Sequence, residues 1–404
     1  MISRPVMGGV AGKGRWLNKN IFAMGLTSFF SDFGHEMATA VLPAFLLQLG
    51  GSAALLGLIE GVADASISGM KLFSGWLSDR LGKRKPLAAI GYMLTALGVG
   101  SFSLAFSWPQ VLLSRVVAWL GRGTREPPRD AMLVDSTEPQ YHGRVFGFHR
   151  AMDTVGAIIG PAAAFFLIKG MELHTIFLIA LIPSLLAFLT MVTLVKETRR
   201  QEDKSSRFIK SVKNLPRNFK FFLAAVAVFG LGNFADSMLI LRATDLLSPG
   251  MGAAQASSMA ILLYTLHNVL YAGASFPIGI IGDRLGNRNV LILGYVLTGI
   301  TSVGFICNTS DIVFLGVLFV FAGIAIAITD AMEKAVAADL LPEDLRGTGY
   351  GTLASVNGLG DFASSALVGL LWTSISPVAG FGYAAILCIA GGVALISMRY
   401  KTQS

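Results

Sequence analysis

In the stretch SFFSDFGHEMATA (28–40), Asp32, His35 and Glu36 fall at i, i+3 and i+4. On a helix that spacing stacks two carboxyls and an imidazole on one face. Such a set can carry protons, or bind a divalent ion as mixed oxygen and nitrogen ligands if a further donor such as His267 joins it. Other isolated ionisable residues sit in equally apolar company: Asp64, then Arg122, Arg125 and Arg129 at i, i+3 and i+7, then His149, Arg150 and Asp153, and later Asp236 and His267. A guanidinium with no partner suits a carboxylate or phosphate on a ligand. A carboxyl taken out of water favours its neutral form, so Asp32, Glu36 or Asp153 is expected to take up a proton near neutral pH. Arg150, three residues from Asp153, could instead hold that acid charged as a structural pair. His267 reads as a proton carrier, a ligand or a hydrogen-bonded packing residue.

The elements that must position these groups are membrane helices. The 404 residues are 53% hydrophobic and 14% charged, against about 25% charged in soluble domains. The net charge of +8 comes from short basic clusters between apolar runs, which positive-inside topology produces without a nucleic-acid partner. Cys307 and Cys388 lie in apolar stretches with no metal-binding or disulfide spacing, and read as small core residues. The sequence offers no nucleophile–base pairing and no nucleotide-binding loop, so neither an enzyme nor an ATP-driven pump is expected.

A crossing helix needs about 20 mostly apolar residues. Twelve segments qualify: 20–48, 54–79, 87–107, 109–135, 144–168, 174–195, 219–247, 253–281, 289–308, 312–339, 347–373 and 378–399. The first follows a basic, non-apolar start and lacks a small-residue cleavage site, so it reads as a retained span. Alternate loops hold the Lys and Arg clusters, which places both termini in the cytoplasm. Pro127 and Pro128 are expected to disturb the fourth span. The polar run 196–218 links two halves, 1–195 and 219–404.

Those halves are copies. GWLSDRLGKR (75–84) recurs as GIIGDRLGNR (279–288), 204 residues on, and the same register pairs Asp32 with Asp236, Asp135 with Asp339, Gly147 with Gly351 and Gly156 with Gly360. In the loop, Gly75 and Gly279 permit close helix approach, Gly82 and Gly286 take backbone conformations other residues resist, and Asp79 and Asp283 stand at helix ends. Arg80, Arg84, Arg284 and Arg288 have Asp135 and Asp339 as their expected partners. A parallel duplication of six spans, with G-x-x-x-D-R-x-G-x-R between spans 2 and 3 and again between 8 and 9, resembles the major facilitator superfamily of secondary transporters.

That resemblance covers nearly the whole chain. It implies an all-α membrane protein, two pseudo-symmetric six-helix bundles around a central cavity, and alternating access powered by a proton gradient with no cofactor. It also implies a bacterial-type inner membrane and a monomer. Spans 1, 4, 7 and 10 would line the cavity with 2, 5, 8 and 11 beside them, and the repeated loop would be a latch for the outward-open state. Gly147, Gly156, Gly160 and Pro161 in span 5 resemble the motif of exporters that run as antiporters, although Ala164 replaces its next glycine. In span 4, Arg115 is not followed by glycine at the family spacing.

The duplication also sorts charges. Those present in both halves suit architecture, and those present once suit substrate or coupling. Glu36, Glu60, Asp64, Arg122, Arg125, His149, Arg150 and Asp153 have uncharged counterparts, so the first half is expected to hold nearly all the unmatched charge. The expected function is a proton-coupled antiporter exporting a small organic compound, anionic or amphiphilic. The alternatives are an importer of an organic anion with protons, and a carrier of a divalent metal or its chelate.

Overall fold

The computed structural model describes residues 17–81, 83–137, 142–197, 215–341 and 346–398. Among these, thirteen α-helices follow one another: α1 (Lys19–Gln48), α2 (Ala53–Leu81), α3 (Lys85–Ser101), α4 (Trp108–Asp135), α5 (His142–Leu167), α6 (Leu173–Thr193), α7 (Arg217–Gly230), α8 (Ser237–Met251), α9 (Ala253–Leu285), α10 (Asn287–Ile306), α11 (Ile312–Leu340), α12 (Arg346–Ser374) and α13 (Pro377–Ser397). A helix satisfies its backbone groups internally, as a segment in lipid must. Seven of them, α2, α3, α5, α6, α10, α11 and α13, are long and apolar enough to cross a membrane by length and composition alone. Most of the others carry the polar side chains of the interior, which lowers their hydropathy. With α7 and α8 as two pieces of one crossing, the chain makes twelve.

Two local expectations fail for visible reasons. The fourth span is not interrupted, since α4 runs unbroken through Pro127 and Pro128. Pro127 has no N–H to offer the Gly123 carbonyl, and the Ser74 hydroxyl of α2 donates to that oxygen instead, at 2.8 Å. The seventh span is interrupted, because residues 231–236 separate α7 from α8. Gly230, Gly232, Asn233 and Asp236 all disfavour a helix interior. The freed backbone finds partners within the protein, Ala235 N–H donating to Ser365 Oγ at 3.1 Å and Asn233 N–H to the Phe229 carbonyl at 3.0 Å.

The halves repeat one packing scheme. In the first, α1 packs on α5 and α6, α2 on α4, and α3 on α4 and α6; in the second, α7 packs on α12 and α13, α9 on α11, and α10 on α11 and α13. The halves meet chiefly along α2–α12 and α5–α9. Glycine sets the first of these crossings. A Cβ on Gly61 would lie 2.7 Å from the Phe362 carbonyl, and one on Gly57 or Gly369 would run into the backbone of Ser365 or Ala53.

The apolar cores differ between the two ends of the bundle. Away from the repeated loops, one cluster joins both halves, with Met37–Leu46 of α1, Leu56 and Ile59 of α2, Met238–Leu247 of α8 and Ala256–Tyr264 of α9 among its members. At the loop end the cores are separate. One belongs to the first half, around Met24, Tyr92, Met132 and Met191, and one to the second, around Phe222, Tyr295, Met332 and Leu395.

The span-5 glycines do unequal work. Gly156 and Gly160 seat α5 against α1, where a Cβ would strike the Phe29 backbone or sit 2.7 Å from the Phe33 carbonyl, but Gly147 faces open space. Gly156→Val should therefore lower the thermal midpoint of purified protein by an overpacking cost of about 1–3 kcal/mol. Gly147→Ala should leave it unchanged or raise it slightly, since alanine is the better helix former. Intrinsic-fluorescence melting in detergent compares the two.

Candidate functional site

Between the halves lies a cavity of about 1190 Å³, running from Asp32, Glu36 and Asp64 at mid-helix to Lys71, Asp130 and Lys334 at the loop end. A deeper chamber of about 220 Å³ continues it beneath the shared core, bounded by His35, Glu36, Trp119, the α7/α8 break and Asp361.

The first half brings its charges together in two groups. Arg115 forks onto Glu60, with Nε to Oε2 and Nη2 to Oε1 each at 3.0 Å, while Nη1 donates to Thr39 Oγ1 at 3.0 Å. The guanidinium lies 3.6 Å from the centre of the Trp119 ring. Both members are almost fully buried, at 3% and 2% side-chain exposure. The Trp119 indole N–H donates to Asp64 at 2.9 Å, and His35 packs on the Trp119 ring at 4.3 Å. The second group centres on Asp32, with Arg125 at 3.6 Å and Arg122 at 3.9 Å.

The span-4 arginines are therefore not unpaired. Arg122 Nε also donates to Glu126 at 3.0 Å, and Arg129 binds Asp130 at 2.9 Å. Arg125 is buried against Ser31 and lies 4.5 Å from the Tyr92 ring centre, outside the cavity wall. His149 also points away from the cavity and shares a 2.6 Å hydrogen bond with Ser28 between α5 and α1. Each of these three guanidinium groups already has an acid beside it.

The second half contributes more than expected. Asp330, Glu333 and Asp361 line the cavity, and their first-half counterparts are Glu126, Arg129 and Ala157. Comparing the halves in the reverse direction would have found Glu333 and Asp361 by their unlike counterparts. Glu333 accepts from Tyr295 at 2.7 Å and Asn357 at 2.6 Å, and Asp361 accepts from Asn233 at 3.1 Å. Several contacts join the halves across the cavity: Tyr264 hydroxyl donates to Glu36 at 2.9 Å, Asn268 Nδ2 to the Ala157 carbonyl at 3.1 Å, and Arg150 to Asp330 at 3.1 Å. Arg150 also reaches Asp153 at 3.5 Å. His267 faces Asp236 at 4.0 Å. Asp32, His35, Glu36 and His267 do not gather, and among the described residues no three His, Cys, Asp or Glu side chains form a metal-binding group.

At the loop end, Arg84 pairs with Asp135, and the Arg84 and Lys85 backbone N–H groups donate to Glu197. In the second copy Asn287 donates to Asp339 at 2.9 Å, and Arg288 donates to the Leu395 and Ile396 carbonyls at the end of α13. Gly286 has φ +90°, a conformation that favours glycine. Gly75 makes only ordinary contact with Pro127 and Gly279 faces open space, so neither supports a close approach in this conformation. Arg284 is exposed. Gly82 and the side chains of Asp79, Arg80 and Asp283 lie outside the described residues.

A two-halved helical bundle, sealed at one end and enclosing a polar cavity, defines a membrane carrier. The Major Facilitator Superfamily model matches residues 24–253 and 243–404. An uncharacterised MFS-type transporter of Methanocaldococcus jannaschii is 34% identical over 384 residues, 95% of each chain. The quinolone resistance protein NorA of Staphylococcus aureus is 28% identical over 223 residues, 54% of this chain and 57% of NorA. The nucleoside transporter NupG shares the fold at TM-score 0.76, with 16% identity over 95% of this chain and all of its own. This chain belongs to the Major Facilitator Superfamily and is a transporter.

Breaking the buried fork from one side leaves an uncompensated charge. Glu60→Gln should cost about 3–5 kcal/mol of stability, and Glu60→Leu with Arg115→Met should recover most of it. Denaturant or thermal melts of both variants in detergent measure the difference.

Proposed function

We propose that this transporter is a proton-coupled antiporter that exports a small, amphiphilic organic cation. The observation that carries the reading is the acid excess of the cavity: of its ten Asp and Glu side chains, Glu36, Asp64, Asp236, Glu333 and Asp361 have no Lys or Arg pair among the described residues, and Trp119, Tyr264, Tyr271 and Tyr350 stand among them. Acids attract a cation, and aromatic faces suit one with apolar parts. The acids also supply proton sites, so that one positive charge displaces another. The expected anionic substrate rested on unpaired arginines, and these have acid partners in this structure, so we take the cation instead.

Direction is supported by two features. One is the similarity of about half the chain to a protein named for quinolone resistance, since a carrier most simply confers resistance by removing the drug. The other is the span-5 glycine motif. With the basic loops taken as cytoplasmic, the separate cores at that end and the shared core at the other support a state open to the cytoplasm, where an exporter loads.

The test is uptake in proteoliposomes of known orientation under an imposed pH gradient, with a panel of organic cations and anions. A cation should move against the proton flow, and Asp32→Asn or Glu36→Gln should lose gradient-driven flux while remaining folded. Gradient-driven movement of anions alone would sink the proposal.

A further inference from the structure

The α7/α8 break and α9 build a small site whose ligand preference follows from hydrogen-bond bookkeeping. His267 is 1% exposed. Its Nδ1 lies 3.2 Å from Asn268 Oδ1. The Asn268 amide is oriented by its other end, where Nδ2 donates to the Ala157 carbonyl at 3.1 Å. Oδ1 can only accept, so His267 Nδ1 carries a hydrogen. In the neutral ring Nε2 is then a bare acceptor. Among the described residues it has no hydrogen-bond partner, and it faces Asp236 Oδ1 at 4.0 Å. Two acceptors confront each other at the cavity wall, the imidazole buried and the Asp236 side chain 30% exposed. Asp236 stands at the first residue before α8, without a side-chain cap bond, and Ser237 Oγ beside it is buried and unpartnered.

Only a donor satisfies both faces. A proton on Nε2 makes an imidazolium–carboxylate pair, and an ammonium with at least two N–H groups can donate to Nε2 and to the carboxylate together. We infer that His267 and Asp236 form a site for one positive charge, filled alternately by a proton or by the N–H-bearing ammonium group of a primary or secondary amine. This deepens the proposed function and rests on its organic-cation reading. In the exchange the ammonium displaces the proton from Nε2, which leaves through the cavity toward the loop end.

The surroundings fit such a site and tie it to the other half. Tyr264 stacks on the imidazole at 5.5 Å and donates its hydroxyl to Glu36 of α1. The groups facing the pair from neighbouring elements are mostly already engaged. Glu36 has Tyr264, Asp153 of α5 has Arg150, and Asp330 of α11 has Arg150 and Tyr271. Glu60 of α2 has Arg115, and Asp361 of α12 has Asn233. Arg122 of α4 has Glu126. Filling the site thus bears on the contacts of α9 with α1 and α5, both in the opposite half.

Nitrogen-15 spectra of imidazole-labelled wild-type protein report the site directly, His267 being assigned among the five histidines by substitution. At a pH where His267 is imidazolium, benzylammonium should convert it to the neutral Nδ1–H tautomer. The purified protein in weak buffer should release about one proton per ammonium bound. Benzyltrimethylammonium, which has no N–H, should do neither. His267→Gln and Asp236→Asn should lose the release, and His174→Gln at the opposite end should keep it. A His267 signal unmoved by benzylammonium overturns the site even if vesicles exchange organic cations for protons. Equal displacement by the trimethyl compound overturns it too. Vesicles that fail to exchange while His267 responds would instead remove the proposed function and leave the site.

Discussion

An ionised carboxylate in hydrocarbon is costly, by several kcal/mol at mid-membrane. This chain places ten carboxyl side chains on one interior wall, with four Lys and Arg on the same wall. That imbalance shapes the rest of the structure. The acids cannot face lipid and cannot all be paired, so the helices that carry them must surround water. The most apolar helices, α6, α11 and α13, have mean hydropathies of 2.0 or more. Lipid is the natural solvent for α6 and α13, whereas α11 gives Asp330, Glu333 and Lys334 to the cavity at one end only. The interior helices read as poor membrane spans because they are solvated by each other and by the cavity.

A wet centre must still be closed at one end, and the two half-to-half crossings make that possible. At α2–α12 the glycines bring backbone against backbone, and the Phe362 and Ser68 side chains sit against Gly61 and Gly358. The contact runs from Ala53 and Gly369 to Ser68 and Gly358, and small residues let the two helices approach closely along it. On one side of it the apolar residues of both halves merge into one core; on the other each half keeps its own. Reversal would exchange these roles, splitting the shared core and joining the separate ones. The Arg84–Asp135 pair lies within one half, so it stays made while the halves part.

Much of this was legible in the sequence. Twelve apolar runs, the 204-residue repeat and its charged loop carry the architecture, because hydropathy and duplication are one-dimensional signals. Asp32, Glu36, Asp64, Arg122, Arg150, Asp153, Asp236 and His267 do line the cavity. Side-chain direction was harder to read. Arg125 and His149 lie one helical turn from cavity residues yet point into the packing with α1, a difference of helix rotation that spacing alone does not fix. Glu60 and Arg115 stand 55 positions apart, and nothing local to either announces their fork. The broken seventh span was readable in Gly230, Gly232, Asn233 and Asp236, but the apolar residues on both sides hid it. The unbroken α4 was not readable, since it depends on a serine from another helix.

The buried acids divide by the partner each one has. Glu60 is held by the Arg115 guanidinium through two hydrogen bonds; removing its charge would strand Arg115, so it serves as framework. Glu36 is held by Tyr264, Asp361 by Asn233 and Asp64 by Trp119. These partners are neutral donors, and a carboxyl can gain or lose a proton beside them without leaving an opposite charge unpaired. Tyr264 and Asn233 come from the second half, Glu36 from the first, so part of this adjustable set lies across the surface that must move. The proton-coupled carrier proposed above would use that arrangement. Groups that change charge must be free of fixed counter-ions, and their partners must lie where the change alters how the halves fit.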